Sequence, residues 1–355
     1  MNVLTSSEER KKESVSRRNY IKYLGAGAVV VAATAAGGYY GGYDVGFKEG
    51  YKAGYSEAPV PVRIGTLVGD LHHADLYTAI SKGFYTEENI EAIRMEYASG
   101  PLQMMGFAAG DIDAGYVGVA PLLTSKSKGV DLKAVASANL EGSALVSAII
   151  AKPEIKEVKD LDKRQVGTPG IGTIQDSLLY IVEKKFGITL TRSHMNVANL
   201  PLALEKGEID AYIAWEPFPS EAVVKGIGQV IYTSHDIFPN HQCCVLYVSG
   251  KMFSETPDIV KKLIRSHIRA AKVAIEQPDD AMNIFADKTG KSLDVVKEAW
   301  KRMIWDYHVN EESVKVLVNY LIEQGKVNAA DVPDVEKFVS ETIDSKLLTE
   351  VEATV

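Results

Sequence analysis

Cysteine is nearly absent from this sequence. Among 355 residues only Cys243 and Cys244 occur, and they are adjacent. A bridge between neighbours closes a strained ring. No disulfide framework can therefore staple the fold, and the pair lacks CxxC metal spacing. No cysteine near the N-terminus offers a lipid attachment point. An excess of positive charge is missing too. Lys and Arg number 39 against 47 Asp and Glu, for a net charge of -8. Residues 1–58 carry 8 basic and 6 acidic residues, leaving 31 against 41 in the body. An acidic body argues against nucleic acid as a partner. Neither GxxxxGK[ST] nor GxGxxG is found, and the neighbouring histidines His72 and His73 lack the HExxH spacing of a zinc enzyme. Composition calls for no cofactor and no metal.

What is present begins with an address. Residues 1–22 are polar and basic and contain Ser16-Arg17-Arg18-Asn19-Tyr20-Ile21-Lys22, which resembles the twin-arginine export signal. An apolar run from Tyr23 to Ala36 follows. It is as long as a signal core and short of the roughly 20 residues a spanning helix needs. Residues 1–37 are thus expected to be a signal or, if uncleaved, a membrane anchor, and the protein is expected to be exported. Gly38, Gly42, Gly46, Gly50 and Gly54 are each followed by an aromatic residue. Glycine costs about 1 kcal/mol per position in a helix, so residues 38–59 read as a flexible stalk or linker.

The body repeats one unit: strand, glycine turn, helix. Val62–Leu67 alternates as a strand does, Gly69 and Asp70 break it, and Leu76, Tyr77, Ile80 and Phe84 recur at helical spacing with Gly83 as the stop. In open α/β sheets ligands sit beyond the carboxyl ends of strands, near helix N-termini. His72 and His73 occupy such a place. Strands are expected at 93–97, 114–118, 131–138, 165–167, 212–214, 230–232 and 242–248. The turn Thr168–Asp176 offers backbone N–H groups and the hydroxyls of Thr168 and Thr173 to an anion or acceptor. Gly110-Asp111-Ile112-Asp113-Ala114 is echoed by Gly207-Glu208-Ile209-Asp210-Ala211, as if two lobes used the same device. Beyond Gly250 the pattern is helical, with helices at 257–276, 279–289, 293–302 and 313–323.

Five pieces in order carry a resemblance. They are LHHADLYTAISKGFYTEENI, SGPLQMMGFAAGDIDAGYVGVAPLL, VGTPGIGTIQDSLL, AWEPFPSEA and PDIVKKLIRSHIRAAKVAIEQPDDAMNIFADKTG. Together they resemble the nitrate/sulfonate/taurine-type substrate-binding proteins of ABC importers, a family that includes binders of thiamine-pyrimidine precursors. The resemblance spans roughly residues 60–305. It implies an α/β, periplasmic-binding-protein type 2 fold, with two lobes joined by two crossing strands, at 60–148 plus 245–355 and at 149–244. It implies a monomer that delivers a small molecule to a membrane permease and its ATPase, with no chemistry of its own. Ligand contacts are then expected at Asp70, His72, His73, Gly100, Pro101, Tyr116, Gly118, Glu141, Ser143, Thr168, Thr173, Trp215 and Glu216.

Helix N-termini and hydroxyls suit a small organic anion or zwitterion, such as a sulfonate, taurine or nitrate. Yet no arginine stands at these strand ends, where a tight anion site would want one. Asp70, Glu141 and Glu216 suit an amine or a ring N–H, so a thiamine-related pyrimidine is the alternative ligand. A pyrimidine-synthase-like enzyme and a metal carrier are the remaining alternatives. The cysteine-rich run of the eukaryotic synthase is represented here by two residues only.

Overall fold

A computed structural model describes residues 58–141 and 147–355, with backbone alone at 140 and 141. The leader at 1–37, most of the stalk at 38–59, and Ser143 lie outside the described residues. Among the described residues ten strands form two five-stranded sheets. The first contains β1 (Val60–Leu67), β2 (Ile90–Tyr97), β3 (Ala114–Gly118), β4 (Leu132–Glu141) and β10 (His241–Ser249), in the order β2-β1-β3-β10-β4. The second contains β5 (Ser147–Ala151), β6 (Gln165–Thr168), β7 (Thr191–His194), β8 (Ala211–Trp215) and β9 (Gln229–Thr233), in the order β7-β6-β8-β5-β9.

The two sheets share one plan. In each, the strands of successive βα units run parallel, β1 with β3 and β6 with both β7 and β8. In each, the fourth strand in order is antiparallel to its neighbours: β10 to β3 and β4, and β5 to β8 and β9. The chain leaves the first sheet after β4 to enter β5, and returns from β9 into β10. The antiparallel strand of each lobe is thus the one that arrives from the other lobe. The architecture is the periplasmic-binding-protein fold.

The repeated G-[DE]-I-D-A device has a physical meaning. Gly110 (φ 84°) and Gly207 (φ 76°) adopt the left-handed conformation that lets a helix stop at little steric cost. Ile112 and Ile209 are buried. The Asp113 amide donates to the Arg63 carbonyl, and its carboxylate accepts from the Arg63 amide at 2.9 Å. Asp210 does the same with Gln165, at 2.8 Å and 3.1 Å. Each aspartate pins a new strand to the start of its parallel neighbour, which fixes register.

Differences from the sequence reading are local. The first helix covers Ala74–Ser81 and stops before Gly83, whose φ of 76° turns the chain into a separate short helix, Phe84–Glu87. Strand β7 was not expected. Its Thr-Arg-Ser-His sequence has no apolar alternation because it is an edge strand with no buried residue. The helices Val335–Thr342 and Lys346–Glu352 were not expected either. Among the described residues no helix is long and apolar enough to cross a membrane.

One buried group sets a pH test. Asp75 is 1% exposed, and neither of its carboxyl oxygens has a hydrogen-bond partner among the described residues. Burial holds its pKa well above the ordinary 3.8. Nearby His267, 3.6 Å away, is pushed down to about 4 by its own burial, so it does not supply a positive charge. Above pH 3.8 the unfolded chain loses the proton that folded Asp75 keeps. The folded state then binds more protons, and stability falls as pH rises. Asp75→Asn is expected to raise the melting temperature at pH 8 by a few degrees, at about 2–4 °C per kcal/mol. The gain should vanish toward pH 4. Melting curves at both pH values check this, and no gain at pH 8 would refute it.

Candidate functional site: an interlobe cleft

A cleft lies where the carboxyl ends of the parallel strands from both sheets meet. It encloses about 270 Å³, counting open space at its mouth. Leu67, Asp70, His72, Gly100, Gly118, Pro121 and Cys244 line it from the first lobe. Thr173, Ile174, Gln175 and Trp215 line it from the second. The enclosed part is narrow, with room for little more than a water-sized group as it stands.

The first wall is the turn after β1. Asp70 caps a single 3₁₀ turn, Leu71–His73, accepting from the His72 amide at 2.9 Å. His72 and His73 are both fully buried. The Nδ1 of His73 accepts from the Leu67 amide at 3.3 Å and lies 2.9 Å from the Thr66 hydroxyl. Its proton must therefore sit on Nε2, 3.7 Å from Asp70 Oδ2. The His72 ring turns the other way. Its Nδ1 lies 3.6 Å from Asp70 Oδ1, 3.3 Å from Cys243 Sγ and 3.6 Å from Cys244 Sγ. Burial raises the Asp70 pKa, against the opposing pull of His73 and His72. Burial would also raise the Cys244 thiol. Hydrogen bonds from Cys243, His72 and His73 outweigh that and hold it well below the usual thiol range.

The second wall is the turn after β6. Thr173 caps the 13-residue helix Ile174–Phe186, accepting from the Asp176 amide at 3.2 Å and donating to the Gly170 carbonyl at 2.8 Å. The N-terminal residues of that helix line the cleft and present its positive end. Trp215 ends β8, is 2% exposed, and packs edge-on against Phe218. Its indole N–H has no hydrogen-bond partner among the described residues.

Six of the residues expected from sequence meet at the cleft: Asp70, His72, Gly100, Gly118, Thr173 and Trp215. Others stand nearby in supporting places. His73 Nε2 lies 3.7 Å from Asp70 Oδ2. Pro101 lies across from Gly172, its Cγ 3.8 Å from where a Cβ there would be. Tyr116 is fully buried, with its hydroxyl 3.2 Å from His267 Nδ1. The Thr168 hydroxyl accepts from the Gly170 amide. Glu216 does not line the cleft. Its carboxylate binds Arg302 and accepts from the Ser220 amide. Its carbonyl accepts from the Leu71 amide at 3.0 Å and so ties the two lobes together. Glu141 ends β4 opposite His241.

Sequence reading missed Leu67, Pro121, Ile174, Gln175 and above all Cys244 as cleft residues. Adjacent side chains on a regular strand point to opposite faces. Here β10 is irregular on both sides of Cys244, where its register against β4 shifts. The irregularity turns both thiols to one side, 3.5 Å apart. No sequence signal marks it.

Two α/β lobes with exchanged antiparallel strands and a small cleft at the strand ends are the layout of the periplasmic-binding-protein fold. The chain matches the NMT1-like family over residues 56–286 and belongs to it. It is similar to a Bacillus subtilis protein named for binding aliphatic sulfonates, with 23% identity over 285 residues, covering 76% of this chain and 81% of that one. Its fold is that of the periplasmic nitrate-binding protein NrtA from Synechocystis PCC 6803, with a TM-score of 0.74 at 13% identity, covering 84% and 89%. A further relative is an enzyme, the 4-amino-5-hydroxymethyl-2-methylpyrimidine phosphate synthase of Aspergillus parasiticus. It is 24% identical over 236 residues, covering 61% of this chain and 67% of that one.

Proposed function

We propose that this chain is the extracytoplasmic substrate-binding protein of an ABC importer, and that it captures a small organic anion or zwitterion of the sulfonate, taurine or nitrate kind. The observation that carries the reading is the second wall of the cleft. The N-terminal residues of a helix and Trp215, whose buried indole N–H has no partner among the described residues, line one small space. Donors of this kind, with no acceptor of their own, favour a ligand rich in oxygen acceptors. The lobes close on the ligand by a hinge motion, and the closed form docks on a permease with its ATPase. The twin-arginine-like leader and the periplasmic relatives support an exported location.

Asp70, opposite Trp215, favours a second ligand class, a planar heterocycle with a ring N–H or amine, and the pyrimidine-synthase relative points the same way. One experiment separates them. Titration calorimetry with ethanesulfonate, taurine, nitrate and 4-amino-5-hydroxymethyl-2-methylpyrimidine is expected to give tight binding for an anion of the first three. Binding of the pyrimidine alone would transfer the function to the second class. No binding by any of the four below about 1 mM, an affinity of roughly -4 kcal/mol, would overturn both.

A further inference from the structure

The solute reading leaves the first wall of the cleft unexplained. Asp70, His72, His73, Cys243 and Cys244 gather there, and all are buried. Two overlapping trios, His72 with Cys243 and Cys244, and Asp70 with His73 and Cys244, each bring one ligand atom per residue within 4.8 Å of one another. We propose that this wall is a binding site for a thiophilic divalent cation of the zinc class, held by Cys243 Sγ, Cys244 Sγ and His72 Nδ1, with Asp70 beside them.

The distances within the His72, Cys243 and Cys244 trio are those of one face of a tetrahedron. Zinc sits about 2.3 Å from sulfur and about 2.0–2.1 Å from nitrogen, so tetrahedral edges are about 3.8 Å between sulfurs and about 3.6 Å from sulfur to nitrogen. The thiols are 3.5 Å apart and lie 3.3 Å and 3.6 Å from His72 Nδ1. Asp70 Oδ1 is 3.6 Å from the same nitrogen, close to the nitrogen–oxygen edge of about 3.4 Å. Only small movements separate this arrangement from coordination.

The supports of the site are already in place. The Gln242 side-chain amide reaches Ser137 Oγ, the Asn139 carbonyl and the Cys244 carbonyl, and its oxygen accepts from the Asn310 amide. This braces the irregular stretch of β10 that turns both thiols one way. Asp70 is oriented by the His72 amide, and His73 by Thr66 and Leu67. Such outer contacts fix metal ligands in nearly all metal sites. Two thiols and an imidazole select zinc-class ions over calcium or magnesium, which prefer oxygen. Because His72, Cys244 and Asp70 line the cleft, the ion would face it, as cargo or as an anchor for a ligand donor atom. The proposal is independent of which organic solute the cleft takes.

The test uses the full chain, stripped of metal by a chelator and kept reduced with a phosphine. Cobalt(II) is titrated in first as a spectroscopic probe, then zinc. The expected result is one equivalent of cobalt with a thiolate-to-cobalt charge-transfer band, displaced by one equivalent of zinc. Cys243→Ser and Cys244→Ser should each weaken that band by about half, and each should lower zinc affinity at least tenfold. Circular dichroism of the metal-free variants should match wild type. Absence of the band in the wild-type chain would overturn the proposal, as would unchanged zinc affinity in both variants. The anion panel run on zinc-free and zinc-loaded protein keeps the two readings apart. Zinc binding without any solute binding removes the organic-solute reading alone, and solute binding without zinc binding removes this one alone.

Discussion

Arg302→Met is expected to destabilise the protein by about 3–5 kcal/mol, the usual result of removing one partner from a buried ion pair. Glu216 is fully buried. Its Oε1 lies 3.1 Å from the Arg302 guanidinium, which is itself only 12% exposed. Burial already raises the Glu216 pKa, and Arg302 is the first force opposing that rise. Without the arginine the carboxyl climbs further and binds a proton. The folded state then holds a proton that the unfolded chain, with an ordinary pKa of 4.5, gives up. Stability is lost as pH increases above that value, so the defect should be largest near pH 8 and smaller near pH 5. Glu216→Gln in the Arg302→Met background should recover most of the loss, because no charge then remains buried. Denaturant melts of the three proteins at the two pH values provide the check. A single variant as stable as wild type at pH 8 would show that the pair contributes nothing. The Glu216 carbonyl also accepts from Leu71 across the lobes, so the variant should loosen the cleft as well.

Trp215→Phe is expected to weaken solute binding by about 10- to 100-fold. The phenyl ring keeps an aromatic wall against Phe218 but has no N–H. A hydrogen bond to a charged acceptor contributes about 1.5–3 kcal/mol, and 1.4 kcal/mol is a factor of about ten. Trp215→Ala should weaken binding further, since the aromatic surface contributes on the order of 1 kcal/mol more. It should also destabilise the fold by about 3–5 kcal/mol, because the side chain belongs to the buried core of the second lobe. The phenylalanine variant is the cleaner measurement for that reason. Calorimetry with whichever anion of the panel binds wild type decides it. Equal affinity in Trp215→Phe would mean the indole N–H does not reach the ligand.

The sequence by itself determined the unit from which the protein is built. Branched runs broken by glycine and followed by period-3.6 segments placed β1, β3, β6, β8 and β10 close to where they lie. Local rules suffice there, because alternation, breakers and caps act over a few residues. The duplicated G-[DE]-I-D-A device was legible for the same reason. Asp70, His72, Thr173 and Trp215 could be read as cleft residues because strand ends face the cleft in such sheets.

Other features depended on distant parts of the chain. Glu216 looked like a ligand carboxylate beside a helix start, yet Arg302, 86 positions later, takes its charge. Nothing local to either residue announces that pairing. Cys243 and Cys244 lack the CxxC spacing of a metal site. A register irregularity, set by pairing of β10 with β4 and held by Gln242, turned both toward His72, which is 171 positions away from Cys243. Strand pairing and ion pairing are contacts between segments that the chain brings together only on folding. The thiol–imidazole wall is therefore a property of the tertiary structure, while the strands and helices that carry it are properties of the sequence.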